Sequence, residues 1–330
     1  MPARSSTSGT TLASLVLGGA GAALYVGARL RRKREARPAM PFDELWSPWS
    51  ARVRVAVALA LEAGQAMVDA KARSAREEEG RNGGGGGGVS YKGRHDLVTE
   101  TDRSNEALIQ RGLLQAFPED RFLGEEASAS NGGHAPLEVG GSELVWIVDP
   151  IDGTTNFVHG FPVTCVSIAL ARGGDVIVGV IYNPFSKELY QSVKGGGSFL
   201  NGSPLQVSGK TEMEQAMVVS EYSCLREEEG LRKMMETTGS IACTARAVRQ
   251  TGCGAMDLCF LARGSVDAVF GGVAGVWKPW DWAAGVLIAT EAGAVIFSGD
   301  GGRFQLMGDT ILAAATPELA STLTSQLAAL

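Results

Sequence analysis

The chain has 330 residues, 45% hydrophobic and 20% charged, with a formal charge of −6. That balance excludes whole-chain disorder and a polytopic membrane protein, and its length suits one large domain or two. The charge is uneven: residues 1–40 hold seven basic residues and one acid, so the remainder is strongly acidic and a poor partner for nucleic acid.

Five cysteines, an odd number with no CxxC, argue against a disulfide framework or a zinc ribbon and favour a reducing compartment. Only three histidines occur, His95, His134 and His159, so a bound metal here has to be hard and oxygen-liganded.

In chain order, residues 1–40 read as a segment apart from the fold and 41–330 as the folded domain. Residues 11–28 form an uncharged run followed by RLRRKREAR. As a helix this run would span about 27 Å, slightly short of a ~30 Å hydrocarbon core, and its glycines weaken it. Three readings stay open: a single membrane anchor whose flanking positive charge keeps the domain on the cytosolic face, a plastid or mitochondrial targeting segment, and a disordered tail.

Residues 41–81 read as helical, since Val55, Leu59, Ala63, Met67 and Ala70 recur at three and four, with Ser50 as an N-cap. Six consecutive glycines at 83–88 predict a mobile loop. A helix is expected over 104–117 and a strand over 143–148. Strands 163–170 and 176–182 are joined by Gly173-Gly174, and another strand covers 217–221. A helix at 254–263, a strand at 266–270, a helix at 282–292, a strand at 294–297 and a helix at 317–330 complete the pattern. Mixed strands and helices with hairpin signals predict a layered α/β protein rather than a doubly wound sheet.

The strongest local signal is WIVDPIDGTTN, Trp146 to Asn156. Pro150 cannot donate to a ladder, so the strand is expected to stop there and present Asp149 and Asp152 together. Gly153, Thr154 and Thr155 free backbone N–H groups for an anion if a helix starts there. Carboxylates beside an anion site make electrostatic sense with cations between them; an Asx turn capping a helix is the plainer alternative. Asp102 in DLVTETD, Glu125 and Glu126 in FLGEE, and Asp281 in KPWDWAAG could complete the cluster, although each taken singly also reads as a helix cap or a solvated pair.

Taken together, DLVTETD, FLGEE, WIVDPIDGTTNFVHGFP and KPWDWAAG resemble, in order and spacing, the inositol monophosphatase family of Mg²⁺-dependent, lithium-sensitive phosphatases, over roughly residues 50–320. The resemblance implies an α-β-α-β-α sandwich of the inositol monophosphatase/fructose bisphosphatase type, a homodimer, and a small phosphorylated polyol as substrate. It implies Glu125, Asp149, Asp152, Asp281 and the Ile151 carbonyl as metal ligands, with Glu125 also among the catalytic groups. Asp102 and Thr154 resemble the pair that orients the attacking water, and Lys92 the lysine of a mobile loop. Asp152, Gly153, Thr154, Gly252, Cys253, Gly254 and Asp281 resemble the substrate-binding set. The implied reaction is in-line attack of metal-activated water on phosphorus, with no covalent phosphoenzyme.

Two departures bear on the substrate. Ala274 stands seven positions before Asp281, where many members carry an acid that contacts a sugar hydroxyl. The Gly-Ser/Thr-Ala stretch of the pocket is here Gly252-Cys253-Gly254. Histidinol phosphate, galactose 1-phosphate, fructose bisphosphate and adenosine bisphosphate are therefore alternative esters, and a membrane-tethered scaffold without turnover is the non-enzymatic rival. Cys243 to Arg249 matches Cys-x5-Arg, but a thiol phosphatase loop needs glycine and TARAV has none. Trp277, Trp280 and Trp282 are expected to pack around the start of the Asp281 helix.

Overall fold

The computed structural model describes residues 48–80, 89–91, 97–130, 141–222, 227–271 and 277–328. The 1–40 segment with its 11–28 run, the glycines at 83–88, Lys92 and Ala274 lie outside the described residues.

The first helix, α1 (Ser50–Gly80), begins at Ser50 itself, so Ser50 is its first turn and not its cap. A short hairpin of β1 (Val89–Tyr91) and β2 (Leu97–Thr99) leads into α2 (Glu100–Ala116). Next come β3 (Arg121–Gly124), α3 (Glu125–Ser130), β4 (Leu144–Asp152) and α4 (Thr154–His159). The chain then runs as a meander through β5 (Cys165–Arg172), β6 (Asp175–Asn183), β7 (Glu188–Val193), β8 (Ser198–Leu200) and β9 (Ser203–Pro204). The second half holds β10 (Met217–Ser220), α5 (Glu228–Thr244), β11 (Ala247–Arg249), α6 (Gly254–Ala262) and β12 (Ala268–Gly271). It ends with α7 (Pro279–Glu291), β13 (Val295–Phe297), β14 (Ile311–Ala314) and α8 (Pro317–Leu327).

Strands β3 to β9 form a seven-stranded sheet in sequence order, antiparallel except for the parallel pair β3–β4. A five-stranded sheet has the order β11-β10-β12-β14-β13. Helices α1 and α2 cover one face of the large sheet. Helices α6 and α7 lie between the two sheets, and α5 and α8 cover the far face of the small one. The expected five-layer α-β-α-β-α order is present.

Three apolar cores hold the layers together: one fills both sides of the central helices, and one lies on the outer face of each sheet. Val145 and Ile147 of β4 face the central helices, while Trp146 and Val148, alternating with them, face α1 and α2. A strand buried on both faces reads as an unbroken apolar run, which is what the sequence shows over 144–148. The outermost core joins Met234 and Ile241 of α5 and Leu319 and Leu323 of α8 to the small sheet. The buried Trp146 Nε1 donates to Asp120 Oδ2 at 3.0 Å, and Arg52 grips the same carboxylate through two 3.0 Å bonds. That pairing clamps α1 to the large sheet.

One expectation fails at the site itself. Strand β4 does not stop at Pro150 but continues to Asp152. Asp149 pairs with Ser167 and Asp152 with Cys165, with a register shift between them. The missing N–H of Pro150 is absorbed as a bulge, and the Ile151 N–H turns to Asp149 Oδ1 at 2.9 Å instead of to β5. Pairing then resumes, so both aspartates leave one strand on the same short arc.

Among the described residues no helix is long and apolar enough to cross a membrane. Trp277, Trp280 and Trp282 are buried in the central core, as expected. Cys243 on α5 and Arg249 on β11 are exposed and form no phosphate loop.

Candidate active site

The site gathers at the C-terminal end of β4, where two helices begin. Asp149, Asp152 and Asp281 each place a carboxylate oxygen within 4.8 Å of the others. The same dense placement shows at Asp149. Burial raises the Asp149 carboxyl well above the ordinary range, and Glu125, Asp152 and Asp281 push it further. Glu125 thus stands close enough to act on Asp149, from the first residue of α3. Asp152 is pushed up to about 6 by burial, against hydrogen bonds that pull it down. Such a cluster is costly for a folded chain unless cations balance it, and its donors are the hard oxygens that Mg²⁺ and similar ions prefer.

Besides Glu125, two further acids belong to helix first turns. Asp102 is the third residue of α2: its carboxylate accepts the Thr99 N–H at 2.8 Å and the Thr99 hydroxyl, while Thr99 Oγ1 accepts the Asp102 N–H at 3.3 Å. This is a reciprocal capping box. Asp281 holds the same position in α7, behind Pro279 at the helix start, and accepts the Lys278 N–H at 2.5 Å. The expected helix starts at 104 and 282 are therefore late by one turn; in both, the acid lies inside the helix.

Gly153 takes φ of 79° and caps α4, and an added Cβ would sit 3.0 Å from the Val163 carbonyl and 3.2 Å from Cys253 Cβ. Only glycine fits that left-handed turn. Thr154 opens α4 with its hydroxyl 3.3 Å from Asp102 Oδ1 and 3.1 Å from the Ile151 carbonyl. The Gly252-Cys253-Gly254 turn reaches the same place from the other half of the chain. Cys253 caps α6, its Sγ lies 3.2 Å from Asp152 Oδ2, and the Ala255 N–H donates to that oxygen at 2.7 Å. The Ile151 carbonyl, Asp152, Gly153, Thr154, Cys253 and Gly254 are all brought to one arc.

Several supporting residues escaped the sequence reading. Glu106 of α2 accepts the Glu126 and Ala127 N–H groups at 2.7 and 2.8 Å, and so fixes the first turn of α3 that carries Glu125. Glu221 accepts the Thr251 N–H and, at 2.9 Å, the Gly252 N–H, while Asp257 takes the Thr251 hydroxyl at 2.6 Å. Both acids are fully buried and brace the 251–253 turn. The partners of Glu106 and Glu221, about 20 to 30 positions away, leave no local pattern to find.

Residues 49–330 match the sequence model of the inositol monophosphatase family. This chain belongs to the inositol monophosphatase family. It is 40% identical over 231 residues to inositol monophosphatase 1 of Solanum lycopersicum, which covers 70% of this chain and 82% of that protein. It is 38% identical over 281 residues to inositol monophosphatase 2 of Homo sapiens, covering 83% of this chain and 89% of the relative. Among solved structures, the extragenic suppressor protein suhB of Bartonella henselae superposes with a TM-score of 0.69 at 31% identity, over 84% of this chain and 98% of that one. The inositol monophosphatase of Anabaena gives 0.67 at 26% identity, over 86% and 98%. The chain is thus a phosphatase of a metal-dependent family, and its acidic group suits a metal ion.

Proposed function

We propose that this chain is a Mg²⁺-dependent phosphomonoesterase that hydrolyses inositol monophosphate to inositol and phosphate. The observation that carries the reading is the convergence of Asp149, Asp152 and Asp281 beside the Thr154–Asp102 hydrogen bond. Glu125, Asp149, Asp152, Asp281 and the Ile151 carbonyl would hold Mg²⁺. When bound, Mg²⁺ would neutralise the carboxylates, lower the pKa of an attacking water and stabilise the leaving alkoxide. Asp102 accepts the hydrogen bond that keeps the Thr154 hydroxyl aimed. In turn Thr154 offers its oxygen to a water approaching phosphorus. N–H groups of Gly153 and Thr154 receive phosphate oxygens at the start of α4, and the 252–254 turn lines the alcohol side. Lys92 is assigned as the loop lysine, residues 1–40 as a separate anchor or targeting segment, and the working form as a homodimer; these rest on the sequence pattern and the family likeness.

Phosphate release from inositol 1-phosphate with and without Mg²⁺, in the full chain and in residues 41–330, tests the reading. Activity that EDTA abolishes and Asp149→Asn removes is expected. Equal activity in EDTA overturns it, and a panel of histidinol, galactose, fructose and adenosine phosphates ranks the esters.

A further inference from the structure

Two thiols lie against the carboxylate cluster, and neither sulfur has a part in the chemistry proposed above, where Cys253 contributes only through its turn. Cys165 opens β5 directly across from Asp152 in the β4–β5 ladder. Cys253 caps α6 on the other side of the same aspartate. Their sulfur atoms are 3.8 Å apart, and Cys253 Sγ is 3.2 Å from Asp152 Oδ2 and 3.5 Å from the Asp152 carbonyl. One ligand atom from each of Asp152, Cys165 and Cys253 falls within a 4.8 Å group, and all three side chains are buried.

We propose that Cys165, Cys253 and Asp152 form a second cation site, for a thiophilic divalent ion such as Zn²⁺ or Cd²⁺, that silences the enzyme by taking Asp152 from the Mg²⁺ cluster. The sulfur–sulfur distance and the distance from Cys253 Sγ to Asp152 Oδ2 fit such an ion. With Zn–S near 2.3 Å and Zn–O near 2.0–2.2 Å, a tetrahedral site has an S–S edge of about 3.8 Å and an S–O edge of about 3.5 Å. The two sulfurs already stand at the first spacing, and the carboxylate oxygen is a few tenths of an ångström inside the second. The Asp152 carbonyl or a water completes four ligands. Thiolates are soft donors that Mg²⁺ does not take, so the site discriminates by ligand chemistry. Each thiol gives its proton to solvent as it binds; nothing is oxidised or reduced. Thr154 and Asp281, next to Asp152, are partly exposed and leave a way in.

Binding is independent of the phosphatase reading; silencing rests on it. The full chain, kept reduced with a phosphine, is titrated with Cd²⁺ alone while the ultraviolet thiolate-to-Cd²⁺ absorption is followed. One equivalent is expected to saturate the band in the parent and in Cys243→Ala, and Cys165→Ala to lose it. In saturating Mg²⁺, Cys165→Ala should keep its activity yet need at least tenfold more Zn²⁺ for half inhibition. In the unaltered chain, Cd²⁺ should slow alkylation of Cys165 and Cys253 as read by mass spectrometry. An unchanged band or unchanged Zn²⁺ sensitivity in Cys165→Ala, or no protection from alkylation, overturns the proposal. No turnover of any ester alongside an intact Cd²⁺ band overturns the silencing and leaves the site standing.

Discussion

Thr154 Oγ1 lies 3.3 Å from Asp102 Oδ1, which ties the first residue of α4 to the first turn of α2, 52 positions earlier. The hydroxyl can offer a lone pair outward only because its proton is held inward. Thr154→Ala removes that arrangement and should lower kcat by about 10²-fold or more, in the range of a lost proton-transfer partner. Thr154→Ser keeps the hydroxyl and should recover most of the loss. Steady-state kinetics of the two variants, with KM little changed in either, checks the role.

Asp149→Asn separates charge from shape. The Asn side-chain oxygen can still accept the Ile151 N–H that Asp149 holds at 2.9 Å. It carries no charge into a group where Glu125, Asp152 and Asp281 all oppose ionisation. At pH 8 in EDTA the variant should melt above the parent by about 2 °C or more, since ~1 kcal/mol moves a domain of this size by about that much. Mg²⁺ should stabilise the parent and not the variant. Melting curves with and without Mg²⁺ read both effects.

The metal-free protein should lose stability as pH rises. The folded state holds the Asp152 proton up to about 6, against 3.8 for the free carboxyl. The folded chain therefore binds more protons than the unfolded one in that interval. This contribution is full below pH 3.8 and is lost as pH climbs through about 6, amounting to about 3 kcal/mol at most. Denaturant midpoints in EDTA across pH 4–7 should fall along that interval, and Mg²⁺ should flatten the slope.

Glu106 holds the first turn of α3 through the Glu126 and Ala127 N–H groups. Glu106→Ala should cost about 1–3 kcal/mol for the two unpaired donors and weaken Mg²⁺ binding by releasing Glu125. In Glu106→Gln one acceptor oxygen remains, so this variant should fall between. Mg²⁺ titrations followed by melting temperature distinguish the three.

The site's acids were legible because they stand in dense local strings: an apolar strand delivering Asp149 and Asp152, and Pro-Trp-Asp opening a helix. The layer order came from the family likeness. What stayed hidden depended on pairing across the chain. The bulge at Pro150 required a partner strand for its register, and without the β4–β5 pairing in view a strand end looked the simpler outcome. The helices carrying Asp102 and Asp281 begin a turn earlier than hydrophobic period alone suggests, because a capping box opens the first and Pro279 with the Asp281 carboxylate on the Lys278 N–H opens the second. Glu106 and Glu221 are buried acids whose partners come from other segments, and a single sequence prints them as ordinary polar positions.

The backbone N–H groups that Asp102 and Asp281 accept at their helix starts make each acid answerable to two tasks at once. Fraying of either helix by a single turn would swing an acid away from the cluster while leaving every core intact. Turnover should thus be the first property to fade on gentle warming, ahead of any loss of circular dichroism.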